Sequence, residues 1–167
     1  MLISKLKIRL YGDPCLRKKS TLVKEVGPSE RILIQSLIAT MHEYKGVGLA
    51  APQIGINQRI FVADIGDGPV AIINPHIVKK YGAAVLEEGC LSIPGITVSI
   101  KRPEKIIIQY LDESNNHRER TFTDLIARVI QHETDHLNGK LIVDYAGLKQ
   151  KVKFGKKLKE IKKMAKG

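Results

Sequence analysis

Only two cysteines, Cys15 and Cys90, occur among the 167 residues. That is too few for the disulfide framework of a small secreted domain, so both read as free thiols of a reducing compartment. No apolar run approaches the ~18 residues of a membrane span. The first residues, MLISKLKIRLYGDP, have no long apolar h-region, no small-residue cleavage site and no Ser/Arg-rich transit helix. The chain is therefore expected in the cytoplasm, away from membranes. Internal repeats are absent. Acidic residues are scarce at the C-terminal end, where residues 149–167 hold nine lysines against one glutamate, Glu160. Eight of the eleven net positive charges thus sit in that tail, and the body is only mildly basic. Such asymmetry points to a basic arm that meets a polyanion such as nucleic acid, or an anionic membrane surface.

What is present suits one globular domain. The hydrophobic share is 43 % and the charged share 27 %, ordinary values for a folded chain. The length is enough to bury a core without staples. A catalytic domain over residues 1–148 and a Lys-rich helix or tail over 149–167 are expected.

Residues 28–45 read as a helix. Pro28 suits its first turn, Ile34, Leu37, Ile38 and Met41 share one face, and Gly46 is placed to end it. Short β-branched runs at 59–65, 70–74, 96–100 and 105–111 read as strands, with a further one near 118–122. A second helix is expected over 124–138. Thr121 and Asp124 form a weak capping box at its start, and Asn138–Gly139 closes it. Strands followed by a helix bearing the chemistry argue for an α+β domain.

That chemistry is His132-Glu133-Thr134-Asp135-His136. Residues four apart on a helix lie on one face, so both imidazoles can reach a single ion with Glu133 beside its open position. A Zn²⁺-like ion lowers the pKa of bound water toward ~7, and a neighbouring carboxylate can take and return the proton. An accidental HExxH match in a chain this long is expected at roughly one in a hundred or less. The third ligand is not downstream. Gly139 fits the HExxHxxGxxH extension, but Ile142 stands at its last position and cannot ligate. Glu160, the only later glutamate, sits in the Lys-rich tail and is a poor candidate. Cys90, in Glu88-Gly89-Cys90-Leu91-Ser92, becomes the leading choice. These residues support a metal-dependent hydrolase. An endopeptidase using the same helix, and a basic RNA-binding protein with a structural metal, remain the competing classes.

Three stretches resemble the signature motifs of the peptide deformylases, in order and in spacing. They are Gly46-Val47-Gly48-Leu49-Ala50-Ala51-Pro52-Gln53, Glu88-Gly89-Cys90-Leu91-Ser92 and Gln131-His132-Glu133-Thr134-Asp135-His136. The likeness extends to Tyr11-Gly12-Asp13-Pro14 and Ile93-Pro94-Gly95, and covers roughly residues 5–147. It implies antiparallel β-sheets packed around a central helix carrying HExxH, with an N-terminal and a C-terminal helix. It implies removal of the formyl group from N-formylmethionine on nascent peptides. By motif position Cys90, His132 and His136 would hold one divalent metal ion, Fe²⁺ by family likeness, with Zn²⁺, Ni²⁺ or Co²⁺ also compatible with the donor set. Glu133 would be the acid–base residue, and Gln53 and the Leu91 N–H would polarise the formyl oxygen.

A substrate peptide could lie extended against the small-residue segment around Gly48, with Gly89 on the facing loop. Val47, Leu86, Leu125 and Val129 are the expected side-chain pocket, and Arg128 is expected to lay its stem along the cleft. Arg102 is expected to pair with Glu88. Asp124 and Asn115–Asn116 stand where the family commonly has glycine. In the tail, Phe154, Leu158, Ile161 and Ala165 form an apolar stripe on a Lys-rich helix, a candidate ribosomal-RNA dock. His42, His76, His117 and Cys15 are expected to be structural or exposed.

Overall fold

A computed structural model describes residues 6–167. The first helix, α1, runs Pro28–Glu43, with Pro28 in its first turn and the Glu30 carboxylate accepting the Gly27 N–H at 3.0 Å. Its end differs from expectation. The N–H of Gly46 bonds to Met41 O at 2.9 Å and that of Lys45 to His42 O at 3.0 Å. It is Lys45, at φ 53°, that takes the left-handed position. The helix stops earlier than expected, so the reversal falls on the residue before the glycine.

Strands β1 (Gly48–Ala50), β2 (Ile60–Ala63), β3 (Val70–Tyr81), β6 (Lys105–Leu111) and β7 (His117–Thr123) form one antiparallel sheet in that order. β4 (Ala84–Glu88) and β5 (Val98–Arg102) form a separate antiparallel hairpin. Every residue of β2 is buried, because its alternate faces meet two different partners. Ile60 and Val62 join Ile34, Leu37 and Met41 of α1 in one cluster. Phe61 joins Ile106, Ile108, Ala127 and Ile130 in another.

β3 is far longer than the expected 70–74, running through Pro75 and shifting register between Ile73 and His76 and again between Ile77 and Lys79. Proline inside a sheet is tolerated at such irregularities. β5 lies two residues later than expected, and β1 and β4 were not expected as strands at all.

The helix α2 spans Asp124–Leu137 and carries HExxH. The Thr121–Asp124 capping box does not form. Thr123 is the N-cap and makes no side-chain bond, and Asp124 enters the helix at φ 56° with its N–H on Glu104 O at 2.7 Å. That left-handed angle is one that glycine adopts more readily than aspartate. Asn115 is likewise left-handed, at φ 64°, and its amide bonds to both the N–H and the C=O of Val26. α2 ends as expected at Asn138–Gly139. A Cβ on Gly139 would lie 2.5 Å from Arg17 O, so the position admits only glycine.

The Lys-rich tail is a helix, α3 (Leu148–Lys166). Its apolar stripe faces the body. Ile161 is fully buried with Leu16, Ile93 and Ile142, and Phe154 and Leu158 pack on the same cluster. Gly155 sits inside the helix without breaking it. Among the described residues no helix is long and apolar enough to cross a membrane.

Candidate metal centre and active-site cavity

α2 packs one face on the five-stranded sheet and offers the other to the β4–β5 hairpin. His132 and His136, one turn apart, place their Nε2 atoms 3.2 Å from each other. Cys90, just past the end of β4, puts its Sγ 3.3 Å from His136 Nε2. The three donor atoms lie within 4.8 Å of one another. Ligand atoms at 2.0–2.3 Å from a tetrahedral ion stand roughly 3.3–3.6 Å apart. The spacing therefore fits one ion, and thiolate plus two imidazoles is a donor set for a transition metal.

The second nitrogen of His132 is also placed. Nδ1 lies 3.0 Å from Glu88 Oε2, which fixes the ring and leaves Nε2 turned toward Cys90 and His136. Glu88 is in turn gripped by Arg102, at 2.6 Å and 2.9 Å, and by Arg128 at 2.7 Å. Burial alone would raise the Glu88 carboxyl, but its bonds to His132 and Arg102 hold it at about 2. Arg102 reaches onward to Asp135 at 2.9 Å, where the Tyr145 hydroxyl donates at 2.7 Å. Both arginines and Glu88 are buried, while Asp135 at the outer end stays partly exposed. Burial would depress His132, but hydrogen bonds to Cys90 and Glu88 raise it well above its ordinary value. Burial and the neighbouring His132 lower His136.

Glu133 is buried, and burial pushes its carboxyl up to about 7. Its Oε2 has no hydrogen-bond partner among the described residues. A carboxyl titrating near neutrality with an unspent oxygen suits a group that must take and return a proton. Gly48 packs directly on it: a Cβ there would lie 2.5 Å from Glu133 Oε1 and 2.8 Å from Val129 Cγ1.

A cavity of about 740 Å³ opens above these groups. Cys90, His132 and Glu133 form part of its lining, while His136 is buried beneath. Gln53 lies on the wall, held through Oε1 by the Ala50 N–H at 2.9 Å, with Nε2 turned to Ser92 Oγ at 3.2 Å and Cys90 Sγ at 3.6 Å. Leu91, Gly48 and Gly89 line it too, as do Val47, Leu125 and Val129.

Two expectations change. Leu86 is not part of the lining. It sits on β4 two residues before Glu88, roughly 7 Å further along the strand, and is 53 % exposed. Arg128 does line the cavity, but its guanidinium is buried and spent on Glu88, Ile100 O and Ala84 O. It clamps the hairpin to α2, and is neither a surface charge nor chiefly a stem along the cleft. The Arg102–Glu88 pair is present as expected. The bond from Glu88 to His132 was missed, since nothing in the spacing joins residues 44 apart. Asp135, Tyr145 and Ser92 were missed for the same reason. Of the remaining expected bystanders, His42 pairs with Asp64 at 3.0 Å, and His76 and His117 are exposed. The Cys15 thiol is pushed by burial and by Asp13 up to about 12, which leaves it inert.

The polypeptide deformylase family model matches residues 5–152. The chain belongs to the polypeptide deformylase family. It is a hydrolase acting on a formyl amide, and it removes the formyl group from N-formylmethionine on nascent peptides. A peptide deformylase of Thermotoga petrophila is 45 % identical over 161 residues, 96 % of this chain and 98 % of the relative. One from Clostridium botulinum is 47 % identical over 137 residues, covering 82 % and 93 %. The crystal structure of a Legionella pneumophila peptide deformylase superposes with a TM-score of 0.90 at 38 % identity, covering 96 % of this chain and 97 % of that one. The family is one of metalloenzymes, in keeping with the Cys90–His132–His136 cluster.

Proposed function

We propose that Cys90, His132 and His136 hold a single divalent ion and that Glu133 carries the proton of the deformylation. The observation behind this reading is the convergence of those three donor atoms beside the unspent, near-neutral Glu133 carboxyl under one cavity. Held there, the ion would supply Lewis acidity and would lower the pKa of water toward ~7. The chain's own residues do the rest. The peptide lies extended beside Val47–Gly48 and Gly89, and the methionine side chain rests on Val47, Leu125 and Val129. The Gln53 amide, pinned through Oε1, and the Leu91 N–H face the formyl oxygen as negative charge grows there. Glu133 takes a proton from the attacking water and returns it to the leaving amine, so the C–N bond breaks and formate departs.

Fe²⁺ is the physiological ion in this reading; Zn²⁺, Ni²⁺ and Co²⁺ fit the same donors. Anaerobic purification, metal analysis and a formate-release assay test it together. A formyl-Met peptide should release formate and an unblocked peptide should remain uncut. Cleavage of the unblocked peptide would favour the endopeptidase reading instead.

The enzyme works in the cytoplasm, and α3 docks it on ribosomal RNA. All nine lysines of the tail stay exposed, because the apolar stripe is turned to the body. Deleting the tail would also strip Ile161 from the core, so charge reversal is the cleaner test. Lys149→Glu, Lys153→Glu and Lys156→Glu together should weaken ribosome co-sedimentation at low salt. Unchanged co-sedimentation would remove this role.

A further inference from the structure

Behind α2, on the side away from the active-site cavity, lies a second groove of about 500 Å³. Its walls carry Arg59, Lys80 and Lys101 around Arg102 and Asp135. Arg102 and Asp135 are already paired at 2.9 Å. Arg59, Lys80 and Lys101 have no carboxylate partner among the described residues. Arg59 is half-buried, and that burial lowers its pKa with nothing to offset it; its Nη1 is spent on neutral acceptors, Leu137 O and Asn138 Oδ1. Three cations from three separate segments thus line one polar hollow.

The fold goes out of its way to bring Lys80 there. Ile77 pairs with Ile108 and Lys80 with Ile106, with a register shift between them. Ile106 and Ile108 are two apart and share a face, so Ile77 and Lys80 share one as well. Without the extra residue in β3, Lys80 would point to the opposite side.

We propose that this groove is a phosphate-binding site, taking a phosphate group either free or as part of a nucleic-acid backbone. Three separate cations match an anion whose charge is spread over several oxygens in three dimensions. A planar carboxylate engages fewer of them at once. The local amides Gln131 Nε2 and the hydroxyl of Thr134 are already donating to backbone carbonyls, so recognition falls to the charged groups. Arg102 and Asp135 are shared with the charge chain that holds His132, whereas Lys80 and Lys101 lie outside it, and the proposal does not depend on the assignment of metal ligands.

The test uses the metal-loaded full chain and the double variant Lys80→Gln/Lys101→Gln. Inorganic phosphate, sodium acetate and a short single-stranded RNA are titrated calorimetrically at constant ionic strength set with chloride. The wild type should bind phosphate saturably at one site and acetate at least tenfold more weakly. The double variant should lose tenfold or more in phosphate affinity while formyl-peptide turnover stays within twofold. Saturable RNA binding that the double variant weakens tenfold, without binding of free phosphate, would assign the groove to backbone phosphates. The proposal is overturned if neither ligand distinguishes the wild type from the double variant, or if acetate binds as well as phosphate.

Discussion

Glu133 shows how much one environment can do to one side chain. The carboxyl is ordinary in sequence, yet burial moves it to about 7 and Gly48 presses against its oxygen. Glu133→Ala should keep its metal content and lose roughly 10²–10⁴-fold in kcat. Metal analysis beside the formate-release rate checks this, and an active, metal-loaded alanine variant would refute the proton-carrier role. Gly48→Ala probes the same contact from the other side. Its new Cβ has no space against Glu133 and Val129, so the carboxyl must shift. A displacement near 1 Å costs on the order of 10²-fold in turnover, and a fall in kcat with unchanged metal content is the expected result. Glu88 makes the complementary point. It never needs to touch substrate, yet it orients His132 and is itself fixed by two buried arginines.

Short elements are held by side chains from far along the chain. The turn Ile142–Tyr145 depends on Asp144, which accepts the Leu141 N–H at 2.9 Å and both Nη atoms of Arg17 at 2.6 Å and 3.0 Å. Burial alone would raise the Asp144 carboxyl, but the bonds from Arg17 and Leu141 hold it below its ordinary 3.8. A carboxylate lowered on folding stabilises above its unfolded value and loses that contribution as pH falls through the folded one. Asp144→Asn should therefore melt earlier than wild type at pH 6, by about 1 kcal/mol, and the gap should narrow below pH ~4. Melting curves of both proteins between pH 6 and 3 measure it; a gap that persists unchanged at pH 3 would contradict the charge-based account. The α2 terminus has a different logic. Asp124 accepts a left-handed angle because its N–H is anchored on Glu104 O, so register with β6 replaces the capping box that the sequence suggested.

At the scale of the molecule, α3 is part of the fold as well as a carrier of charge. Ile161 is 2 % exposed in a cluster shared with Leu16, Ile93 and Ile142. Ile161→Ala should cost about 2–5 kcal/mol, read as a lower urea midpoint with an unchanged slope. A shift within about 0.5 kcal/mol, typical of surface positions, would mean that the tail is not docked. The same docking brings Met164 to the edge of the active-site cavity. The Lys-rich segment expected over 149–167 as a helix or tail is thus a helix packed on the body.

The sequence by itself determined the α+β class and singled out Cys90, His132, His136 and Glu133 as candidates, three of which the fold brings within 4.8 Å of one another as a possible metal cluster. HExxH works because four residues on a helix make one turn, a purely local fact, and Cys90 followed by elimination of downstream donors. The helix periods of α1 and α2 and the stop at Gly139 are local in the same way. Tertiary structure decided the rest. The grip of Glu88 on His132, the hairpin clamp of Arg128 and the exclusion of Leu86 from the cavity depend on how β4–β5 lies over α2. The length of β3 and the face shown by Lys80 depend on irregular pairing with β6. Strand register and buried ion pairs join residues tens of positions apart, and no short-range pattern encodes such distances. His132 and His136 could be picked out as candidate ligands from their spacing, but what holds His132 in position became visible only once the chain was folded.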